Sequence, residues 1–258
     1  MVEYGVVGGW DLAQAASRAG YAFAETSVRT LLAPLDPVTV FESQLSRLGA
    51  SPLPYPVLHG FVPPSLPILG PEAVASALAE YATITLERAE QAGIRIIVFG
   101  SGKARRRPEG VNQGTAMQQL QEFCAMAAGK ASQHGVTIAL EPLCQGESNT
   151  LNTVAECARL VRTLGHPSLR LLVDTYHFLL EGDRPEDLVA NLDLLCHVHI
   201  GTAPGRLAPG SESCPALPTL LGALRGGGYG GRISIEATIR RPEIELPRAL
   251  KLLQEWLS

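Results

Sequence analysis

Short runs of apolar and β-branched residues recur along the 258-residue chain, separated by longer stretches in which apolar positions fall at helical spacing. Eight runs are predicted as strands: Tyr4–Gly8, Tyr21–Glu25, Val57–Phe61, Ile94–Phe99, Thr137–Glu141, Leu171–Asp174, His197–Ile200 and Ile233–Glu236. Between them lie helical patterns such as Pro71–Ala92, which opens on proline and glutamate and stops beside Gly93, as helix start and stop chemistry requires. Pro-rich stretches at Pro52–Pro56 and Pro63–Pro67 flank the third strand. Periodic structure resumes on both sides of them, so they read as loops rather than as a domain linker.

Alternating strands and helices imply a parallel sheet covered by helices, and eight units closing on themselves suit a chain of about 250 residues. The fold expected is therefore α/β, a single (β/α)8 TIM barrel with one domain over residues 1–258. The open doubly wound alternative is disfavoured, because no GxGxxG follows the first strand and no GxxxxGK[ST] occurs.

Composition narrows the partners. Hydrophobic residues make up 46% and charged residues 18%, a globular balance able to build a large core. A net charge of −4 argues against nucleic acid and leaves a small polar substrate as the expected partner. The basic run Lys103 to Arg107 reads first as a solvated loop and second as an anion-binding segment. The five cysteines form no CxxC pair and fit a reducing cytoplasm. The amino terminus lacks a basic region followed by an apolar stretch, and no run approaches the ~18 apolar residues that span a membrane, so neither export nor insertion is expected.

Candidate chemistry gathers at the ends of the last four strands: Glu141, Asp174, His199 and Glu236. Side chains alternate along a strand, so Ala139 shares a face with Glu141, Leu172 with Asp174, and Ser234 with Glu236. If the intervening leucines and isoleucines face the helices, the carboxylates converge at the carboxyl end of the barrel, where barrel active sites lie. Gathered there without a cation, at least one would have to hold a proton. Oxygen ligands with one imidazole suit Mn²⁺, Co²⁺ or Mg²⁺ better than a closed zinc site.

Four segments carry a resemblance to the xylose isomerase-like TIM-barrel superfamily, in particular the ketose 3-epimerases of the tagatose/psicose type. LEPLCQGESNTLNT at residues 140–153 resembles that family's LEPL…E…N…LNT stretch. VDTYH at 173–177 resembles its (L/V)DTxH, HVH at 197–199 its HxH, and GYGGRISIE at 228–236 its GYxGxxxxE. The resemblance implies one divalent ion, Mn²⁺ first with Co²⁺, Mg²⁺ or Zn²⁺ as alternatives, held by Glu141, Asp174, His199 and Glu236. It implies Glu141 and Glu236 as catalytic carboxylates, and Glu147, His177 and Arg206 as substrate contacts. His59 and Trp10 are added as candidate pocket residues. The chain departs from the family at Ala237-Thr238, where Pro-Phe is usual, at Ser213–Pro215, where an acidic residue is expected, and in the length of the Arg206 loop.

The chemistry implied is proton removal beside a ketose carbonyl through a cis-enediolate, with one glutamate on each face of the carbon. The partner would be a small sugar or sugar phosphate, and a homo-oligomer is compatible with the sequence. Two alternatives stand beside it: a related sugar or inosose dehydratase, and a DNA-repair nuclease of the endonuclease IV type. The nuclease needs extra histidine and aspartate ligands, of which only His59 is a candidate.

Overall fold

The computed structural model describes residues 2–258. Its eight strands are β1 Glu3–Val7, β2 Phe23–Ser27, β3 Val57–His59, β4 Ile96–Phe99, β5 Thr137–Leu140, β6 Leu169–Asp174, β7 Leu195–Ile200 and β8 Arg232–Ile235. All neighbours pair in parallel in sequence order, and β1 closes on β8 through pairs such as Gly5↔Ser234, giving a closed barrel. The helices are α1 Trp10–Ala19, α2 Val28–Leu31, α3 Val38–Gly49, α4 Ala75–Gln91, α5 Gln113–Gln133, α6 Val154–Leu164, α7 Thr175–Glu181, α8 Pro185–Val189, α9 Ala216–Gly226 and α10 Pro242–Leu257. None is long and apolar enough to cross a membrane.

The expected alternation of faces is present. Ile138, Leu140, Leu171, Val173, Ile233 and Ile235 pack outward against the helices. Phe23, Val57, Ile96, Val98, Ala139 and Leu172 fill the barrel interior. Above that apolar plug, toward the carboxyl end, Glu25, Asp174, His197, His199 and Ser234 are buried inside the barrel.

Element ends differ from the sequence reading where local hydrogen bonds compete with the sheet. Tyr21 is not in β2, because its amide donates to Ala16 in the left-handed cap that Gly20 makes on α1. Ile94 closes α4 by bonding to Ala89, which delays β4 to Ile96. Gly60, at φ +71°, ends β3 before Phe61. The helix expected from Pro71 starts at Ala75, because Gln119 grips both the amide and the carbonyl of Gly70 and holds the next residues in a turn. Strand β7 begins two residues early, and its register with β6 slips between Leu171 and Leu172, which pair with Leu195 and His197. This bulge skips Cys196 and sets His197 and His199 beside Leu172 and Asp174.

The basic run is corrected most. Arg105 is fully buried, and its Nη2 donates to the Glu141 carbonyl at 2.7 Å. The solvated-loop reading therefore fails at the centre of the run. A hydrophilic local sequence gives no hint of a carbonyl 36 residues further on.

Candidate metal centre

The structure brings Glu141, Asp174, His199 and Glu236 together, each offering a donor atom within 4.8 Å of the others. Each sits at or just past its strand end. The Glu141 amide bonds to Phe99 and the Glu236 amide to Ile200, which extends the ladder by one residue and fixes where the side chains leave it. Asp174 caps α7: its Oδ1 accepts from the Tyr176 amide at 2.9 Å, leaving Oδ2 for the centre. Gly100 makes room for Glu141, since a Cβ there would lie 2.3 Å from Glu141 Oε2.

Below these four lies a residue that sequence reasoning placed on a strand but gave no role. Glu25 is fully buried in the middle of β2 and collects four neighbours. Ser234 Oγ donates to it at 2.9 Å, His197 Nε2 lies at 3.2 Å, and His199 Nε2 lies 3.0 and 3.1 Å from its two oxygens. His59 Nδ1 stands 3.5 Å away. The available signal was the alternation Phe23/Glu25, which repeats the Ala139/Glu141 arrangement.

Glu25 decides which nitrogen of His199 is free. Its carboxylate can only accept, so Nε2 carries a hydrogen, and once the ring is neutral Nδ1 is the nitrogen with the lone pair. That buried Nδ1 lies 2.8 Å from Glu236 and 3.6 Å from Glu141, held there by a ring proton when no cation is present, and Glu141 Oε1 is buried without a hydrogen-bond partner. An orphaned carboxylate oxygen and an imidazole nitrogen turned into three carboxylates fit a divalent cation that would take the place of the ring proton, with Glu25 as the carboxylate behind the histidine.

His177 has the opposite polarity. Its Nδ1 accepts from the Cys144 amide at 3.2 Å, so the neutral ring carries its hydrogen on Nε2. Nε2 lies 3.8 Å from Asp174 and 3.9 Å from Glu147, buried and unpartnered. Although Cys144, Glu147 and His177 stand close enough to suggest a second metal site, a ring fixed in this tautomer offers a donor there rather than a lone pair. Burial, with Arg206 adding to it, pushes His177 down to about 3, so the ring stays neutral at physiological pH.

Electrostatics in the cluster are sharply divided. Burial raises Asp174 well above the usual carboxylate range, with Glu236 and Glu141 adding repulsion. Burial also raises Glu141, against the pull of His199. Burial opposes ionisation of Glu236 and Glu25 too, but His199 and its hydrogen bonds outweigh it and hold both low. His199 is raised well above an ordinary imidazole: desolvation works against its charge, and Glu25 and Glu236 overcome it.

Arg206 reaches over the cluster. Its Nη2 donates to Asp174 and Glu236, both at 2.9 Å, and its Nη1 donates to the exposed Glu147 at 3.1 Å. Its guanidinium lies 4.8 Å from the Tyr176 ring centroid. In the same loop Glu212, next to the segment expected to lack an acid, accepts from the Gly205 amide at 3.0 Å and from Thr202. Trp10 stands apart from this group: it packs edge-on against Tyr55 at 5.0 Å, with Arg47 over its ring, which is a packing role.

The comparisons agree with this architecture. A Streptomyces coelicolor protein provisionally named a hydroxypyruvate isomerase is 32% identical over 137 residues, covering 50% of this chain and 49% of that protein. The ketose 3-epimerase of Arthrobacter globiformis is 31% identical over 112 residues, covering 43% and 38%. The chain thus spans about half or less of the length of the curated relatives it matches. The D-psicose 3-epimerase of Clostridium cellulolyticum H10, solved with D-tagatose, superposes with a TM-score of 0.82 over 99% of both chains at 18% identity, a likeness of fold. The family described as xylose isomerase-like TIM barrel matches residues 13–258, and this chain belongs to it.

Proposed function

We propose that the chain is a divalent-metal-dependent sugar isomerase or epimerase, in which Glu141 and Glu236 move a proton at the carbon beside a ketose carbonyl. The observation that carries this reading is the convergence of two glutamates, Asp174 and an imidazole whose Nδ1 faces them at the carboxyl end of the barrel. The names of relatives across the family point the same way.

One divalent ion, Mn²⁺ first, held by Glu141, Asp174, His199 and Glu236, would polarise the carbonyl and the neighbouring hydroxyl. The protein's own groups do the rest. Glu141 and Glu236 remove and return the proton through a cis-enediolate. His177 Nε2–H donates to a substrate oxygen, Arg206 and Glu147 grip a hydroxyl at the mouth, and His59 stands on the Glu25 side. The barrel over residues 1–258 is the catalytic unit, and a small sugar or sugar phosphate is the partner. A multi-zinc nuclease needs further ligands on β4 and after β7, but Phe99-Gly100 ends β4 and Gly201 to Arg206 follows β7 with neither histidine nor aspartate.

Metal-loaded protein is incubated with free ketoses and ketose phosphates in D₂O and the products are read by NMR. Deuterium at the reacting carbon is expected, with turnover abolished in Glu141→Gln and Glu236→Gln while both variants keep a folded circular-dichroism spectrum. Full activity in either variant would refute the proton-transfer roles.

A further inference from the structure

Beside the metal centre, the connections after β2, β3 and β4 enclose a cavity of about 920 Å³, a volume suited to small-molecule ligands. It adjoins the centre through Glu147, which lines it and is held by Arg206, the residue that also donates to Asp174 and Glu236; Gly60 follows His59, and Ser27 lies two residues beyond Glu25 on the same strand face. Its wall carries three cations, Arg29 from α2 and Lys103 and Arg106 from the β4–α5 connection.

Among the described residues, none of the three has a carboxylate partner. Arg29 and Lys103 make no side-chain hydrogen bond or ion pair, and Arg106 donates only to the Gly146 carbonyl at 3.2 Å. Of the cavity's two carboxylates, Glu147 is engaged by Arg206 and Asp36 forms no ion pair, which leaves three cations against one free acid. In a chain of net charge −4, this excess of positive charge around one concave surface forms a local positive field.

This wall is built rather than loose. Its β4–α5 segment is laced to residues 141–150: Arg105 to the Glu141 carbonyl at 2.7 Å, the Arg107 amide to Asn149 at 2.8 Å, Asn149 back to the Arg107 carbonyl at 3.0 Å, and Thr150 to the Arg105 carbonyl at 2.8 Å. Gly102 allows this contact, because a Cβ there would stand 2.7 Å from the Glu147 carbonyl oxygen. Ser101 Oγ accepts from the Val62 amide at 2.9 Å and so keeps its own hydrogen to donate into the cavity.

We propose that Arg29, Lys103 and Arg106 form an oxyanion subsite that holds a phosphate or carboxylate on the substrate end remote from the reacting carbons. The proposal rests on the metal-dependent sugar reading for the rest of the ligand, but the subsite itself needs no metal.

The first test uses chelator-stripped protein titrated calorimetrically with inorganic phosphate. Wild type is expected to bind, with affinity falling as salt rises, and the Arg29→Met/Lys103→Met/Arg106→Met variant to bind at least tenfold more weakly. Equal binding by the variant would overturn the subsite. The second test loads the protein with Mn²⁺ and compares D-fructose, D-fructose 6-phosphate and D-fructuronate. Preference for the phosphate assigns the subsite to a sugar phosphate and preference for the uronate to a sugar acid, whereas no preference for either over fructose overturns it. Metal content is read in parallel. Phosphate binding that is lost in the triple variant, in a protein that takes up no metal, would sink the sugar-isomerase reading and leave the subsite standing.

Discussion

A guanidinium and a divalent ion compete for the same carboxylate oxygens, and Arg206 already donates to Asp174 and Glu236. Arg206→Met is therefore expected to raise metal affinity, by roughly three- to tenfold for one neighbouring charge worth about 1 kcal/mol, while weakening sugar binding. Isothermal titration with Mn²⁺ measures the first effect and KM the second; unchanged metal affinity would show that the guanidinium does not compete. Glu25 acts in the opposite direction. Glu25→Gln keeps the shape but presents an amide that fixes the His199 tautomer less firmly, and metal affinity is expected to fall by about 10–100-fold, the usual cost of losing a carboxylate behind a ligating histidine. An affinity within twofold of wild type would remove Glu25 from any positioning role. His177 bears on the pH profile by its silence: at about 3 it contributes no inflection between pH 5 and 8.

Elements transmit these effects through their ends. Gly100→Ala places a methyl group against Glu141 Oε2, the movable tip of a side chain rather than backbone. Turnover is expected to drop more than tenfold while the melting temperature shifts by about 2 °C or less, which separates a displaced carboxylate from a damaged barrel. At the start of α6, Asp183 Oδ2 accepts from the Val154 amide at 3.0 Å, and burial lifts this carboxyl to about 6 despite that bond. A raised carboxyl binds its proton more tightly folded than unfolded. Its stabilising contribution is thus complete below the unfolded value of about 3.9 and is lost as pH rises through about 6. Asp183→Asn should flatten that slope, seen as a smaller difference in melting temperature between pH 4.5 and 7.5; identical slopes would contradict it. Strand ends were also where the sequence was most legible. Ala139/Glu141, Leu172/Asp174 and Ser234/Glu236 give the inward face from alternation alone, and their convergence follows from barrel topology. Glu25 was hidden because its partners His197 and His199 lie 172 and 174 residues away. Arg105 was hidden because its neighbours in sequence are basic and exposed, and only a distant carbonyl explains its burial.

At the scale of the molecule, an ion that binds the folded barrel and not the unfolded chain stabilises by mass action. Saturation at 100 times Kd is worth about 2.7 kcal/mol, so chelation is expected to lower the melting temperature by roughly 5–10 °C and Mn²⁺ to restore it. A melting curve indifferent to chelator would argue against a resident metal. The layout of the barrel also bears on how such a protein diversifies. The cationic cavity is lined mainly by residues between Ser27 and Arg106, whereas the converging donors come from Glu141, Asp174, His199 and Glu236. Helix α5, residues Gln113–Gln133, separates the two stretches. Recombination within that helix would exchange the amino-terminal half of one homologue for that of another and pass on a new ligand preference with the reaction centre intact, provided the incoming half brought a glutamate at position 25.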